Sequence, residues 1–173
     1  MKKKVLVGMS GGIDSSVAAL LLKKEGFEVI GVTLKHLPDE LSEDQGKTCC
    51  SIDDINDAKN VCSQLDIPHY VFNVTEEFEK EVMDYFVKMY DSGKTPSPCV
   101  ICDEKIKLKK LLEIAEKMGA EYVATGHYSS KTSENLLLWD KNNQKDQTYM
   151  LYRLGPNVLE KMLFPLEKYK KDE

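Results

Sequence analysis

The chain has 173 residues, of which 42% are hydrophobic and 31% charged, and its 24 basic and 29 acidic side chains give a formal charge of −5. This length predicts a single domain that folds without disulfides or a structural metal. No apolar run approaches the roughly 20 residues of a membrane helix, so we expect no membrane role. The negative charge disfavours nucleic-acid binding by the whole surface and leaves only a local basic patch for it.

In chain order, the elements alternate between strand and helix. An apolar run, Lys4–Met9, precedes a helical pattern over Asp14–Glu25, and a β-rich run follows over Phe27–Leu34. Such alternation predicts an α/β fold, an open parallel sheet with helices on both faces. The later predicted elements are a helix over Ser51–Leu65, a strand over His69–Val74, a helix from Thr75 to Asp91, a loop over Ser92–Pro98, a helix over Glu104–Met118, a strand over Glu121–Thr125, a peripheral strand over Asn135–Trp139 and a short helix over Asp146–Leu154.

The segment Ser10–Ser15, SGGIDS, stands where the first strand gives way to the first helix. Glycines let the backbone approach a polyphosphate, and the N–H groups at a helix start supply positive dipoles for it. Asp14 fits such a loop if its carboxylate holds Mg²⁺ or caps the helix. The loop lacks the lysine of loops built for γ-phosphate transfer, which indicates different nucleotide chemistry. The alternative interpretation is an ordinary glycine-rich turn with Asp14 as a plain N-cap. It would be favoured for SGG alone, but not for all six residues between a strand and a helix.

The cysteines predict a second functional site and a reducing cellular compartment. The five cysteines are odd in number and clustered, which favours reactive or metal-binding thiols in a reducing cytoplasm over a disulfide framework. Cys99 and Cys102 form a Cys-x-x-Cys pair just before a predicted helix, whose dipole favours thiolate. Cys62 is predicted to be a core residue. Cys49 and Cys50 are predicted to be plain loop or core thiols rather than further ligands.

Five ordered blocks carry a resemblance to a known family. They read GMSGGIDSSVAALLL, CCSIDDINDAKNVCSQLDIPHYVFN, TPSPCVICDEKIK, GAEYVATGHY, and KDQTYMLYRL with its following FPL. SGGIDS resembles the PP-loop of ATP pyrophosphatases, which cleave ATP between the α and β phosphates and adenylate a carbonyl oxygen. Together the blocks resemble the tRNA-specific 2-thiouridylase family of the MnmA type. The resemblance implies a single PP-loop ATP-binding catalytic domain over 1–173, with the family's central tRNA-binding domain and C-terminal β-barrel absent from these residues.

The resemblance also implies roles for individual residues. Cys102 is the implied catalytic cysteine, with Cys99 and Asp14 as further catalytic residues. The implied nucleotide contacts are Gly8, Met9, Ser10, Gly11, Gly12, Ile13, Asp14, Ser15, Leu34 and Gly126. The implied tRNA contacts are Ser97, Pro98 and Cys99 at the target base, and His127, Lys145, Asp146 and Gln147 elsewhere.

Cys99 and Asp103 depart from the pattern of some family members. Members with aspartate at the position of Cys99 use a persulfide relay, whereas members with two cysteines resemble those that bind an iron–sulfur cluster. The resemblance therefore favours iron–sulfur ligands at Cys99 and Cys102, and persulfide chemistry at the same thiols is the alternative that stays open. Asp103 stands where the family usually has asparagine, which adds negative charge beside the site. Because the family's further catalytic cysteine is not among these residues, we expect the chain alone to have an incomplete catalytic centre.

The implied reaction is ATP-dependent thiolation of the tRNA wobble uridine to 2-thiouridine through an adenylated intermediate. It requires ATP, Mg²⁺, tRNA and a sulfur donor, either a cysteine desulfurase or a sulfur carrier. Two alternatives stay open: another PP-loop adenylating enzyme acting on a small molecule, and a non-catalytic nucleotide-binding or sulfur-carrier module. The oligomeric state is not predicted.

Other charged residues receive simpler interpretations. His36 and His69 are predicted to be an ordinary loop residue and a strand-edge residue. The lysines that follow the cysteine pair are predicted to form a solvated helix face, with a grip on tRNA phosphates as the lesser alternative. These lysines are Lys105, Lys107, Lys109 and Lys110.

Overall fold

The computed structural model describes residues 2–38 and 51–171, so Cys49 and Cys50 lie outside the described residues. The helices are α1 Ile13–Lys24, α2 Ile52–Gln64, α3 from Thr75–Phe78 through the π-helical Glu79–Met83 to Asp84–Asp91, α4 from Pro98–Cys102 through the π-helical Asp103–Leu108 to Lys109–Met118, α5 Thr148–Leu151 and α6 Pro156–Glu160. The strands are β1 Lys4–Gly8, β2 Glu28–Lys35, β3 His69–Asn73, β4 Tyr122–Ala124, β5 Ser130–Lys131, β6 Leu137–Leu138 and β7 Met162–Leu163.

Five parallel strands form the central sheet in the order β3-β2-β1-β4-β7. Side chains of the central strand β1 alternate between the two faces, as the pleat requires. Leu6 packs in one cluster with residues of α3 and α4, whereas Val5 and Val7 pack with residues of α1 and α2. Helices therefore cover both faces, and the predicted fold class is confirmed. Strands β5 and β6 form a separate antiparallel hairpin.

Helix α4 begins at Pro98, six residues before the predicted start at Glu104. Proline is tolerated at the first position of a helix because the N–H that it lacks has no intrahelical partner there. The Ser92–Pro98 loop prediction was thus one residue too long. Cys99 and Cys102 lie within the first turns of the helix rather than before it.

The C-terminal part of the chain differs from its predictions in length. The strand predicted over Asn135–Trp139 covers only Leu137–Leu138, and the helix predicted over Asp146–Leu154 covers only Thr148–Leu151. Strand β7, which was not predicted, pairs with β4 at the sheet edge. A strand of two residues carries too few positions for a periodic pattern. In the described ranges, no helix is long and apolar enough to cross a membrane.

Candidate functional site

A cavity of about 210 Å³ opens at the carboxyl ends of β1, β2 and β4. Ligands of open parallel sheets bind at this edge, where the strand order reverses direction. The reversal falls at β1, because β2 continues to one side of it and β4 lies on the other. We call this space the nucleotide cavity. Its lining includes these residues that the sequence had predicted to bind nucleotide or tRNA: Gly8, Met9, Ser10, Asp14, Ser15, Leu34, Gly126, His127 and Gln147.

The loop from Ser10 to Ser15 is ordered by its own hydrogen bonds. Ser15 Oγ donates to the Gly12 carbonyl over 3.0 Å and accepts from the Ser10 N–H over 3.2 Å. Gly12, rather than Asp14, is the N-cap of α1, so the cap interpretation of Asp14 was wrong. Among the described residues, no side chain caps this helix start. The first N–H groups of α1 therefore stand beside the cavity with the geometry that binds anions.

Two glycines fix where this loop lies. Gly11 has a φ of +78°, which favours glycine, and a Cβ there would lie 2.4 Å from the Asp54 carbonyl oxygen at the start of α2. A Cβ on Gly126, just after β4, would lie 2.7 Å from the Ser15 nitrogen. The loop is consequently packed between two backbone segments that leave no room for a side chain. Gly11 and Ile13 line a separate groove between α1 and α2.

Asp14 lies in the first turn of α1 and points towards two donors. Its Oδ1 accepts from the Tyr128 hydroxyl over 3.1 Å, and its Oδ2 pairs with Lys171 Nζ over 2.8 Å. A carboxylate at this position suits Mg²⁺, which prefers oxygen ligands and substrate phosphates. A bound Mg²⁺ would supply the counter-charge that Lys171 gives Asp14 in this structure.

A second cavity of about 260 Å³ lies next to the first, and we call it the thiol cavity. Apolar side chains of α3 form much of its wall, and Pro98, Cys99 and Cys102 of α4 complete it. Cys99 is exposed, whereas Cys102 is buried. His36 and Lys107 line both cavities. The predicted phosphate loop therefore lines one cavity and the predicted thiols line the other, and the two cavities share a wall.

A buried charge cluster forms part of that wall. Asp103 is 1% exposed, and its Oδ1 lies 2.9 Å from Lys107 Nζ while its Oδ2 lies 3.6 Å from His127 Nε2. Lys107 and Asp103 form an ion pair on one face of α4, and His127 contacts the other carboxylate oxygen. Burial acts to raise the pKa of Asp103, but the contact with His127 and the charge of Lys107 outweigh it, so the pKa is lowered. The other imidazole nitrogen, His127 Nδ1, lies 2.8 Å from Thr125 Oγ1.

His36 is not the ordinary loop residue that the sequence predicted. It is 3% exposed, follows β2, and stacks edge-on against Phe78 with ring centroids 5.3 Å apart. Burial, and then the charge of Lys107, lower its pKa from 6.5 to about 4. The imidazole is therefore neutral at neutral pH. His69 is a strand residue as predicted, and its Nε2 lies 2.8 Å from Thr33 Oγ1.

The lowered pKa of His36 predicts a specific loss of stability in acid. Because the folded value of about 4 lies below the ordinary 6.5, protonation favours the unfolded chain as the pH falls between these values. The expected penalty is about 3 kcal/mol by pH 4. In urea unfolding near neutral pH and near pH 4, the H36Q variant should lose less stability than the wild type by that amount. Equal losses would contradict the assignment.

The residues predicted to contact tRNA are only partly brought together. Gln147 is tied to Tyr128, the neighbour of His127, because its N–H donates to the Tyr128 carbonyl over 2.8 Å and its Oε1 accepts from the Tyr128 N–H over 3.0 Å. Asp146 Oδ1 accepts from the Thr148 N–H over 2.9 Å, which orders the start of α5. Lys145 lies next to this turn, and Ser97 is the N-cap of α4. Their contacts with tRNA stay predictions.

The described residues do not by themselves fit an iron–sulfur cluster. Within residues 2–38 and 51–171, no group of three or more His, Cys, Asp or Glu side chains is placed to hold a metal. Cys99 and Cys102 supply two thiols, and a cluster normally needs three or four protein ligands. The cluster therefore stays a prediction, and no step below passes through it.

Comparison with known proteins identifies related chains. The family model described as the tRNA methyl transferase HUP domain matches residues 3–173. The tRNA-specific 2-thiouridylase MnmA of Caldicellulosiruptor saccharolyticus is 49% identical over 100% of this chain and 50% of that protein. MnmA 2 of Fusobacterium nucleatum is 52% identical over 99% of this chain and 48% of that protein. The predicted resemblance is thus confirmed, and the chain spans about half the length of these curated relatives.

Solved structures share the fold. The predicted subunit of a tRNA methyltransferase from Methanocaldococcus jannaschii has a TM-score of 0.54 at 18% identity, covering 98% of this chain and 71% of that chain. The glutamine-dependent NAD+ synthetase of Acinetobacter baumannii has a TM-score of 0.50 at 17% identity, covering 77% of this chain and 23% of that chain. At these identities the likeness shows the fold alone.

Proposed function

Because the chain belongs to the tRNA methyl transferase HUP domain family, we propose that it is the ATP-binding catalytic domain of an enzyme that thiolates tRNA. The product is 2-thiouridine at the wobble position, formed through an adenylated uridine. The relatives that the chain matches are tRNA-specific 2-thiouridylases, which supports this proposal. The observation that carries it is the wall common to the nucleotide cavity and the thiol cavity, since one uridine can reach both only if they adjoin.

The nucleotide cavity offers both apolar and polar groups to ATP. Val32, Leu34 and Leu111 give it an apolar end for the adenine ring. Ser10, Ser15 and the uncapped start of α1 give it a polar end for the phosphates. Asp14 is the residue that would hold Mg²⁺, and the ion would supply charge neutralisation on the pyrophosphate.

The chain's own residues divide the proposed reaction between the two cavities. The first turn of α1 holds the phosphates while the uridine carbonyl oxygen attacks the α phosphorus and pyrophosphate leaves. The terminal sulfur of a persulfide on Cys102 then attacks the activated carbon and displaces AMP. A second thiol, for which Cys99 is a candidate, attacks the Cys102 sulfur, forms a disulfide with it and releases the thiocarbonyl, and an external thiol reduces that disulfide. The sulfur comes from a cysteine desulfurase or a sulfur carrier. We place this chemistry in the cytoplasm, where thiols stay reduced.

The target base is proposed to enter beside Ser97, Pro98 and Cys99, at the mouth of the thiol cavity. His127 and the segment from Lys145 to Gln147 are proposed to contact the tRNA around it. Support comes from the two backbone and side-chain hydrogen bonds that join Gln147 to Tyr128, because they keep that segment beside His127.

The test is turnover by the full-length protein with tRNA, ATP, Mg²⁺ and a sulfur donor, with AMP, pyrophosphate and 2-thiouridine measured together. The proposal predicts tRNA-dependent release of AMP and pyrophosphate and one thiolated wobble uridine per AMP. Pyrophosphate release without tRNA would favour an adenylating enzyme of small molecules. ATP binding without any turnover would favour the non-catalytic module.

A further inference from the structure

We propose that Lys107 is a catalytic residue of the adenylation step and that Asp103 is the positioning residue that holds its ammonium between the two cavities. This inference rests on the proposed function and deepens it. The sequence predicted Lys107 to be one of several lysines on a solvated helix face, and the structure separates it from them.

The lysines that follow the cysteine pair fall into two groups. Lys105 Nζ lies 3.6 Å from Glu81 and Lys110 Nζ lies 2.7 Å from Glu77, so both pair with exposed or half-exposed glutamates of α3. Lys107 instead lines both cavities. Its side chain leaves the π-helical segment of α4, which also carries Asp103 four residues earlier.

The buried carboxylate of Asp103 explains why the Lys107 ammonium lies beside the two cavities. A carboxylate that is 1% exposed needs a cationic partner, because an unpaired buried charge costs several kcal/mol. Lys107 is that partner at 2.9 Å. His127 closes the other side of the carboxylate and is itself held by Thr125. The cluster therefore holds the half-buried Lys107 side chain, 35% exposed, against the common wall.

The lining of the nucleotide cavity holds few cations, and Lys171, which pairs with Asp14, is not part of that lining. The loop SGGIDS contains no lysine. Among the described residues that line the nucleotide cavity, Lys107 is the one with a permanently cationic side chain. An ammonium on a flexible stem is well suited to phosphate oxygens.

The chemistry gives this ammonium a defined role. The uridine carbonyl oxygen forms a bond to the α phosphorus, the bond from phosphorus to the bridging oxygen breaks, and its electron pair leaves with pyrophosphate. The uridine N3 proton passes to solvent. Negative charge grows on the phosphate oxygens in the transition state, and a cation already in place lowers the barrier without reorganisation.

The experiment compares single-turnover AMP formation and ATP affinity in the full-length protein with tRNA. K107M is expected to lower the AMP formation rate at saturating ATP by about 100-fold or more, with the ATP dissociation constant changed by only a few-fold. K107R should recover part of the rate because it keeps the charge. The matched control K105M removes a surface pair on the same helix and should leave the rate at the wild-type value.

Asp103 is tested by rescue. D103A should lower the rate at saturating ATP with little effect on ATP affinity, and D103N, which keeps the shape and a polar contact, should recover part of the loss. If K107M does not fold, K107Q is measured instead, and thermal unfolding shows whether each variant is folded.

The outcomes separate this inference from the proposed function. Wild-type protein that forms no AMP with tRNA refutes the function and this inference with it. The inference alone is refuted if the wild type turns over and K107M forms AMP at a rate within two-fold of it. It is also refuted if saturating ATP restores the K107M rate.

Discussion

Under the proposed function, replacing Cys102 by alanine in the full-length protein is expected to abolish formation of 2-thiouridine while pyrophosphate release continues. Cys102 lines the thiol cavity beside the nucleotide cavity and is buried, so a persulfide on its sulfur would be shielded from water. The nucleotide cavity does not include its side chain, so adenylation should survive. Mass spectrometry of digested tRNA and a pyrophosphate assay on the same samples measure the two steps separately.

The matched control is C62A. Cys62 is fully buried on α2, against the opposite face of the sheet, and burial raises the pKa of its thiol to about 11. It is therefore an inert core thiol, as the sequence predicted, and its loss should leave thiolation intact. Substantial 2-thiouridine made by C102A would show that sulfur reaches the base by another route.

Replacing Gly126 by alanine is expected to weaken ATP binding by about ten- to one-hundred-fold. The added Cβ would lie 2.7 Å from the Ser15 nitrogen and 2.8 Å from the Asp14 carbonyl carbon. Both are backbone atoms at the start of α1, so the clash displaces the phosphate loop rather than a flexible side chain. Overpacking costs about 1–3 kcal/mol, which corresponds to that range if the strain falls on the bound loop.

Calorimetric titration with ATP and Mg²⁺ measures the effect. G155A is the control, because in the described part of the chain no heavy atom lies within 4 Å of a Cβ at that position. Its φ of −77° also suits alanine. Wild-type affinity in G126A would mean that the loop tolerates displacement or that ATP binds elsewhere.

The sheet and its crossover helices could be predicted because each long strand or helix shows a pattern of apolar residues typical of that element. Lys4–Met9 and Phe27–Leu34 read as buried parallel strands, and β1 and β2 lie there. What the sequence missed was local. Pro98 was interpreted as the end of a loop, although proline is as well suited to the first position of a helix.

The phosphate loop was predictable because its residues are contiguous and their context is local. The common wall was not, because it joins His36 after β2 to Lys107 in α4. Composition does not distinguish Lys107 from Lys105, and packing turns one towards the cavities and the other towards Glu81. The spacing of Asp103 and Lys107 is compatible with an ion pair on one helix face, which is the one local signal available.

A crystal structure of the chain with α,β-methylene-ATP and Mg²⁺ tests the central claim most directly, since this analogue cannot be cleaved between its α and β phosphates. The account predicts phosphates against the first turn of α1, adenine against Leu34, and the α phosphate facing the wall formed by His36 and Lys107. An analogue bound outside the nucleotide cavity, or one whose α phosphate faces away from Cys102, would contradict it.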